Sequence, residues 1–158
     1  MYIEYTTPPM PVYTPNQPHR IDKDFKAEWV KRLRSGEYPQ GKRALRLTYL
    51  DNVKPPEFCC LGVACSIIVE KREGIWEEER PFGTGVNIHT FRYLQQLPLD
   101  EDTSNIALPT PLARDMGMHN GEGGLGFYSR DGRHLLLTQA NDSGCTFDQI
   151  ADLIDYFL

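Results

Sequence analysis

No stretch of this 158-residue chain approaches the length of apolar sequence that spans a bilayer, so no membrane role is expected. The opening residues, MYIEYTTPPMPVYTP, lack both the basic n-region and the apolar h-region of a secretory signal. Positive charge is in deficit: 17 Lys and Arg against 22 Asp and Glu leave a formal charge of −5. That balance argues against a bulk nucleic-acid binder, which needs a basic face, although it allows a small local basic patch. Cysteine is limited to Cys59, Cys60, Cys65 and Cys145, and two of these are adjacent. They do not form the evenly spaced framework of a small secreted protein, so a reducing cytoplasm is expected. Nor do they have zinc spacing, because Cys59, Cys60 and Cys65 have no second cluster to complete a site. Nucleophile elbows, paired metal-binding histidines and phosphate-cradling lysine motifs are all missing. No metal, no cofactor and no catalytic set is therefore expected.

What is present is the composition of a soluble globular protein, 40% hydrophobic and 25% charged, in a chain long enough for one well-buried core. Five of the twelve prolines fall in residues 1–20, which read as an extended arm. Its Tyr2, Ile3, Tyr5, Met10, Val12 and Tyr13 are too apolar for a solvated linker, so it lies across its own domain or reaches a partner subunit. Residues 21–158 read as a single domain. Asp22 caps a helix with Phe25, Trp29 and Leu33 on one face, and Gly36 stops it. Residues 45–49 read as a strand. The C-terminal helix opens on a Thr146–Gln149 capping box and carries Phe147, Ile150, Ala151, Ile154 and Phe157 as its apolar stripe. Thr110 and Pro111 start a short helix closed by Gly117, and Asp131-Gly132 signals a hairpin between LGFYSR and RHLLLT. Residues 74–110 give no clear pattern beyond a core Trp76 and a solvated run from Glu77 to Arg80. The expected architecture is a compact α+β domain, with main helices near 22–35, 60–71 and 146–157 on a small antiparallel sheet.

The segment FCCLGVACSIIVE, Phe58 to Glu70, invites a chemical reading because it packs three cysteines into a short stretch. Its periodicity favours a plainer one. Leu61, Cys65 and Ile68 recur at helical spacing, and free cysteine in a core behaves as a small hydrophobe. A thiol enzyme would need a cysteine acidified by a helix N-terminus or an imidazolium. Cys59 or Cys60 could start a helix, but nothing brings His89, His119 or His134 beside them, and each reads as a surface or loop histidine. GEGGLG, residues 121–126, matches GxGxxG by letter, yet a hairpin follows where dinucleotide binding needs a helix. It reads as a flexible loop whose amides can approach a ligand. Two polar clusters remain. Lys42, Arg43 and Arg46, preceded by Tyr38 and Gln40, combine guanidinium groups with an aromatic ring, the chemistry that meets phosphates and bases. Asn141-Asp142-Ser143-Gly144 reads either as a turn and cap or as base-reading acceptors at the start of the last helix.

Three segments in order, EWVKRLRSGEYPQGKRALR, FCCLGVACS and LTQANDSGCTFDQIADLI, resemble a family of small proteins of unknown function encoded mainly by bacteriophages and some bacteria. The resemblance covers about half of the chain, and FCCLG combined with NDSG before an IADLI helix is its specific part. The proline-rich arm and residues 74–109 fall outside it. Phages also encode sponge proteins that sequester the cyclic nucleotide signals of bacterial immunity, such as those of CBASS and Thoeris. By that analogy the chain is expected to be a non-catalytic anti-defence protein of the host bacterial cytoplasm. Its ligand would be a cyclic nucleotide or another phosphate-containing small molecule, bound by Tyr38, Gln40, Lys42, Arg43, Arg46, Asn141 and Asp142. Homo-oligomers would form through the N-terminal arm. A protein-binding module that inhibits a host factor is the alternative, and a cysteine-dependent hydrolase ranks third.

Overall fold

A computed structural model of the chain describes residues 5–6, 19–81, 83, 85–94, 105–129 and 134–158. Helix α1, Lys23–Arg34, starts where the Asp22 carboxylate accepts from the Phe25 amide at 2.9 Å. It ends at Ser35, and Gly36 follows in a left-handed conformation at φ 75°. Helix α2, Cys60–Glu70, takes Cys59 as its N-cap. The last helix, α5, Phe147–Phe157, has the full capping box of Thr146 and Gln149. Each lies within a residue or two of the range its apolar spacing predicts. A short helix α3, Thr110–Asp115, begins one residue earlier than expected, with Pro109 as its cap and Pro111 inside the first turn.

These helices pack on one another to make the core. Trp29, Leu33, Leu61, Cys65, Ile68, Phe147, Ile150 and Ile154, all expected inside, are buried. Trp29 is fully enclosed, and its indole N–H donates to the Cys60 carbonyl at 3.0 Å, so the largest core side chain also has its polar atom satisfied.

Two antiparallel sheets complete a compact α+β domain. The larger has the order β3-β2-β5-β4, formed by β2 (Arg46–Tyr49), β3 (Glu57–Phe58), β4 (Gly74–Pro81) and β5 (Val86–Tyr93). The run from Glu77 to Arg80, to which the sequence reading assigned no element, is part of a strand. It belongs to β4 and pairs with β5 through a register shift between Glu77 and Glu79. Within that pairing the half-buried Trp76 meets Phe91 edge-on at 5.7 Å, and Glu77 accepts from Arg92 Nε at 3.2 Å. The smaller sheet has the order β1-β6-β7. Its strands are β1 (Tyr5–Thr6), β6 (Gly124–Ser129) and β7 (His134–Leu136), so two residues of the arm pair with β6 of the same chain. The expected Asp131-Gly132 turn and arm residues 7–18 lie outside the described residues.

One further element departs from the sequence reading. RHLLLT continues as a strand only to Leu136, after which helix α4, Leu137–Asp142, takes over. Leu137, Ala140 and Asn141 are its buried residues, the i, i+3, i+4 spacing of a helical face. Asn141 and Asp142 therefore end a helix instead of forming a free turn before one.

Candidate functional site

The site is organised around Asn141, which is completely buried. Its Oδ1 accepts from Gln40 Nε2 at 3.0 Å and from the Cys60 amide at 3.2 Å. Its Nδ2 donates to the Gly41 carbonyl at 2.8 Å and to Asp142 Oδ1 at 3.3 Å. One side chain thereby joins the 40–45 loop, the start of α2 and the end of α4. The FCCLG segment reaches the same junction from the other side. The Cys60 thiol donates to the Leu137 carbonyl at 3.6 Å, and the Cys59 amide donates to the Leu45 carbonyl at 3.3 Å. Gly62 is needed for this approach, because a Cβ at that position would stand 1.7 Å from the Leu45 carbonyl oxygen. Gln40 also donates to the Cys145 carbonyl at 2.8 Å.

This framework holds Arg43 in a left-handed backbone at φ 64°, an uncommon conformation for a residue with a side chain. Its amide donates to Asp142 Oδ1 at 3.0 Å, which pins the turn. Beside it opens a pocket of about 220 Å³ lined by Arg43, Ala44, Cys59, Ile106, Glu122, Thr138 and Asp142. Of the residues expected to bind a ligand, the fold brings Arg43 and Asp142 together here. Lys42 is exposed next to Arg43. Neither Gln40 nor Asn141 lines the pocket. Gln40 is exposed and commits its Nε2 to Asn141 and Cys145, whereas the buried Asn141 spends its whole amide inside the protein and so supports the site. Tyr38 is engaged elsewhere. Its hydroxyl accepts from Arg32 at 3.0 Å and its ring meets Phe58 edge-on at 5.2 Å. Arg32 in turn holds Glu70 through both guanidinium ends, at 2.8 and 2.6 Å. Arg46 lies over the Trp76 ring at 5.6 Å on the larger sheet, outside the pocket lining.

Glu122, Thr138, Ile106, Ala44 and Cys59 as a lining residue escaped the sequence reading. Only Glu122 carried a signal, since it belongs to the glycine loop GEGGLG. There β6 begins inside the motif at Gly124, so its second half is strand where a flexible loop was expected, and Gly121 packs so closely that a Cβ would meet the Leu108 carbonyl oxygen at 2.2 Å. The Glu122 backbone is fixed at both ends, by Asn120 Oδ1 on its amide at 3.0 Å and the Thr138 amide on its carbonyl at 3.1 Å.

The thiols are buried and free. Cys59 lies at the N-terminus of α2, where its sulfur accepts from the Gly62 amide at 3.4 Å. Burial outweighs that help and pushes its pKa up to about 11. Burial likewise raises Cys60 and Cys65 well above the ordinary thiol range, and the neighbouring Cys59 adds to it. A protonated thiol is a poor nucleophile. His89 is no surface histidine: it is buried on β5, with Nε2 at 2.9 Å from Thr48 Oγ1. His119 and His134 face each other edge-on at 6.3 Å, and burial, then His134, lowers the His119 pKa. None of the three lines the pocket. Among the described residues no cluster of His, Cys, Asp or Glu could hold a metal ion, and no helix is long and apolar enough to cross a membrane.

Fold and site together define a small α+β domain with a charged pocket set at the junction of its two sequence motifs. The chain belongs to the family described as domain of unknown function DUF8296, whose model matches residues 21–158. That match takes in residues 74–109 as well as the three motif segments. No curated protein and no solved structure matches the chain.

Proposed function

We propose that this protein binds a phosphate-bearing small molecule reversibly and without turning it over, at the pocket beside Arg43. The observation that carries the reading is Arg43 itself. Its backbone is locked in a left-handed turn by Asp142, while its guanidinium forms no ion pair among the described residues and borders a cavity. A pre-positioned guanidinium with unused donors suits a phosphate, which it meets through paired, charge-assisted hydrogen bonds. Lys42 adds positive charge next to it. The thiol at the pocket wall is held protonated by burial, which supports capture over nucleophilic attack.

The ligand class proposed is a cyclic nucleotide signal of bacterial immunity, sequestered in the host cytoplasm by analogy with phage sponge proteins. About 220 Å³ lies below the roughly 300–1,000 Å³ of pockets that enclose whole ligands. One chain would thus accept one nucleotide unit, with a second copy, engaged through the N-terminal arm, closing over the remainder. Light scattering on the full chain and on a version starting at Ile21 tests that assembly, and an unchanged monomer mass for both sinks it.

The decisive experiment is incubation with a panel of cyclic oligonucleotides, followed by heat denaturation and chromatography of what is released. Intact ligand in stoichiometric amount is expected, and Arg43→Ala should weaken binding by about tenfold or more. A chemically altered ligand would make the protein an enzyme. A second reading, a module that blocks a host protein, draws on a groove of about 200 Å³ where the apolar Phe25, Ile68, Leu112 and Met116 meet the charged Asp22, Lys71, Glu73 and Asp115. Retention of no nucleotide would favour it.

A further inference from the structure

Two carboxylates line the pocket with Arg43, Asp142 directly beside it and Glu122 from the glycine loop. Asp142 commits Oδ1 to the Arg43 amide and Asn141 Nδ2, at 3.0 and 3.3 Å, and its Oδ2 makes no hydrogen bond among the described residues. The Glu122 side chain is exposed and makes no hydrogen bond or ion pair among the described residues, although its backbone is held at both ends. Neither carboxylate pairs with the Arg43 guanidinium across the same cavity. The Thr138 hydroxyl, also without a hydrogen-bond partner among the described residues, lines the same pocket, and the remaining lining is apolar: Ala44, Cys59 and Ile106, the last 53% exposed. The cavity therefore combines an anion-binding guanidinium, hydrogen-accepting carboxylates and an apolar surface.

We infer that this pocket selects a guanine base, with Glu122 as the residue that reads it. The inference rests on the phosphate-binding reading above and adds its specificity. A guanine edge presents two adjacent donors, N1–H and the N2 amino group, which match the two free oxygens of one carboxylate. Adenine presents an acceptor, N1, at the corresponding place, and a carboxylate facing it is repelled. Ile106 gives the ring an apolar surface to lie on, removing water from the hydrogen bonds at its edge and strengthening them. Asp142 is a positioning residue, since it already spends one oxygen on holding the Arg43 turn. Phosphate at Arg43 and base at Glu122 place the ligand's opposite chemistries at the pocket's opposite charges.

The test uses the full chain and three probes, cyclic di-GMP, cyclic di-AMP and cyclic di-IMP, titrated by calorimetry. A bidentate base contact is worth on the order of 1–3 kcal/mol of discrimination, so cyclic di-GMP should bind at least about tenfold tighter than cyclic di-AMP. Cyclic di-IMP keeps N1–H but lacks the amino group and should fall between them. Glu122→Gln, at an exposed position that leaves the fold intact by thermal melting, should lower the guanine-to-adenine ratio by about tenfold. Equal binding of all three probes overturns the guanine inference while the phosphate-binding reading stands. An unchanged ratio in Glu122→Gln overturns the role of Glu122. Failure of all three to bind overturns the guanine inference, while the phosphate-binding reading is decided separately by the wider panel of cyclic oligonucleotides.

Discussion

Asn141 uses both ends of its amide inside the protein, holding Gln40, Gly41 and the first amide of α2. Asn141→Ala strands a buried donor and a buried acceptor at once, and each unsatisfied buried group costs about 1–3 kcal/mol. A loss of about 2–4 kcal/mol in urea unfolding is expected; a midpoint within experimental error of the parent would remove Asn141 from its central place. Gly62 acts through what it lacks. In an ordinary helix Gly→Ala gains about 1 kcal/mol. Here the added methyl would overlap the Leu45 carbonyl, a backbone atom that cannot swing aside. Gly62→Ala is therefore expected to destabilise by about 2–3 kcal/mol, in the range of overpacked cores, and to displace the Arg43 turn. A gain in melting temperature would show that the helix and loop do not need this close approach.

Among the elements, α5 is the most self-sufficient, because its start is written into its own first turn. The Thr146 hydroxyl accepts from the Gln149 amide at 3.2 Å and Gln149 Oε1 accepts from the Thr146 amide at 2.9 Å. Thr146→Ala should cost about 1 kcal/mol, the usual loss of a cap. Ile150→Ala, on the buried face of the same helix, should cost more, about 2–5 kcal/mol, since it also leaves a cavity. Chemical denaturation of the two variants checks the ordering, and a larger effect at the cap than in the core would overturn it. Helix α2 depends on its surroundings instead: its N-cap is a buried thiol and its N-terminal amides are satisfied partly by Asn141. That dependence is what allows it to form one wall of a pocket.

For the molecule as a whole, three buried thiols and Tyr93 make stability sensitive to alkali. Burial raises the pKa of Cys59 to about 11 and of Tyr93 to about 12, and lifts Cys60 and Cys65 well above their usual range. A group with a raised folded pKa binds its proton more tightly when folded. Its contribution is complete below the unfolded pKa and is lost as pH rises toward the folded one. Stability should therefore fall from about pH 9 upward, by about 1.4 kcal/mol per pH unit for Cys59 alone until about pH 11. Urea midpoints between pH 7 and 11 check this, and Cys59→Ala should make the decline shallower. The same thiols should resist alkylation at pH 8 until the chain is denatured; rapid labelling of one native cysteine would contradict their burial.

Amino-acid order alone determined the elements whose causes are local. Asp22, Thr146 and Gln149 cap helices within three residues of themselves, and Trp29, Cys65 and Ile150 reveal a buried face through spacing only. These interactions close over a single turn, so they need no knowledge of the rest of the chain. The change from strand to helix after Leu136 was not legible in this way, because consecutive leucines fit either period. It took burial of Leu137, Ala140 and Asn141 together to decide it. The pocket was legible only in part, through Arg43 and Asp142. Glu122, Thr138 and Ile106 come from separate segments and carry no mark of one another until the chain is folded. Tertiary structure also reassigned Asn141 from reader to support, because a side-chain amide serves whichever partners reach it first, and here all of them belong to the protein.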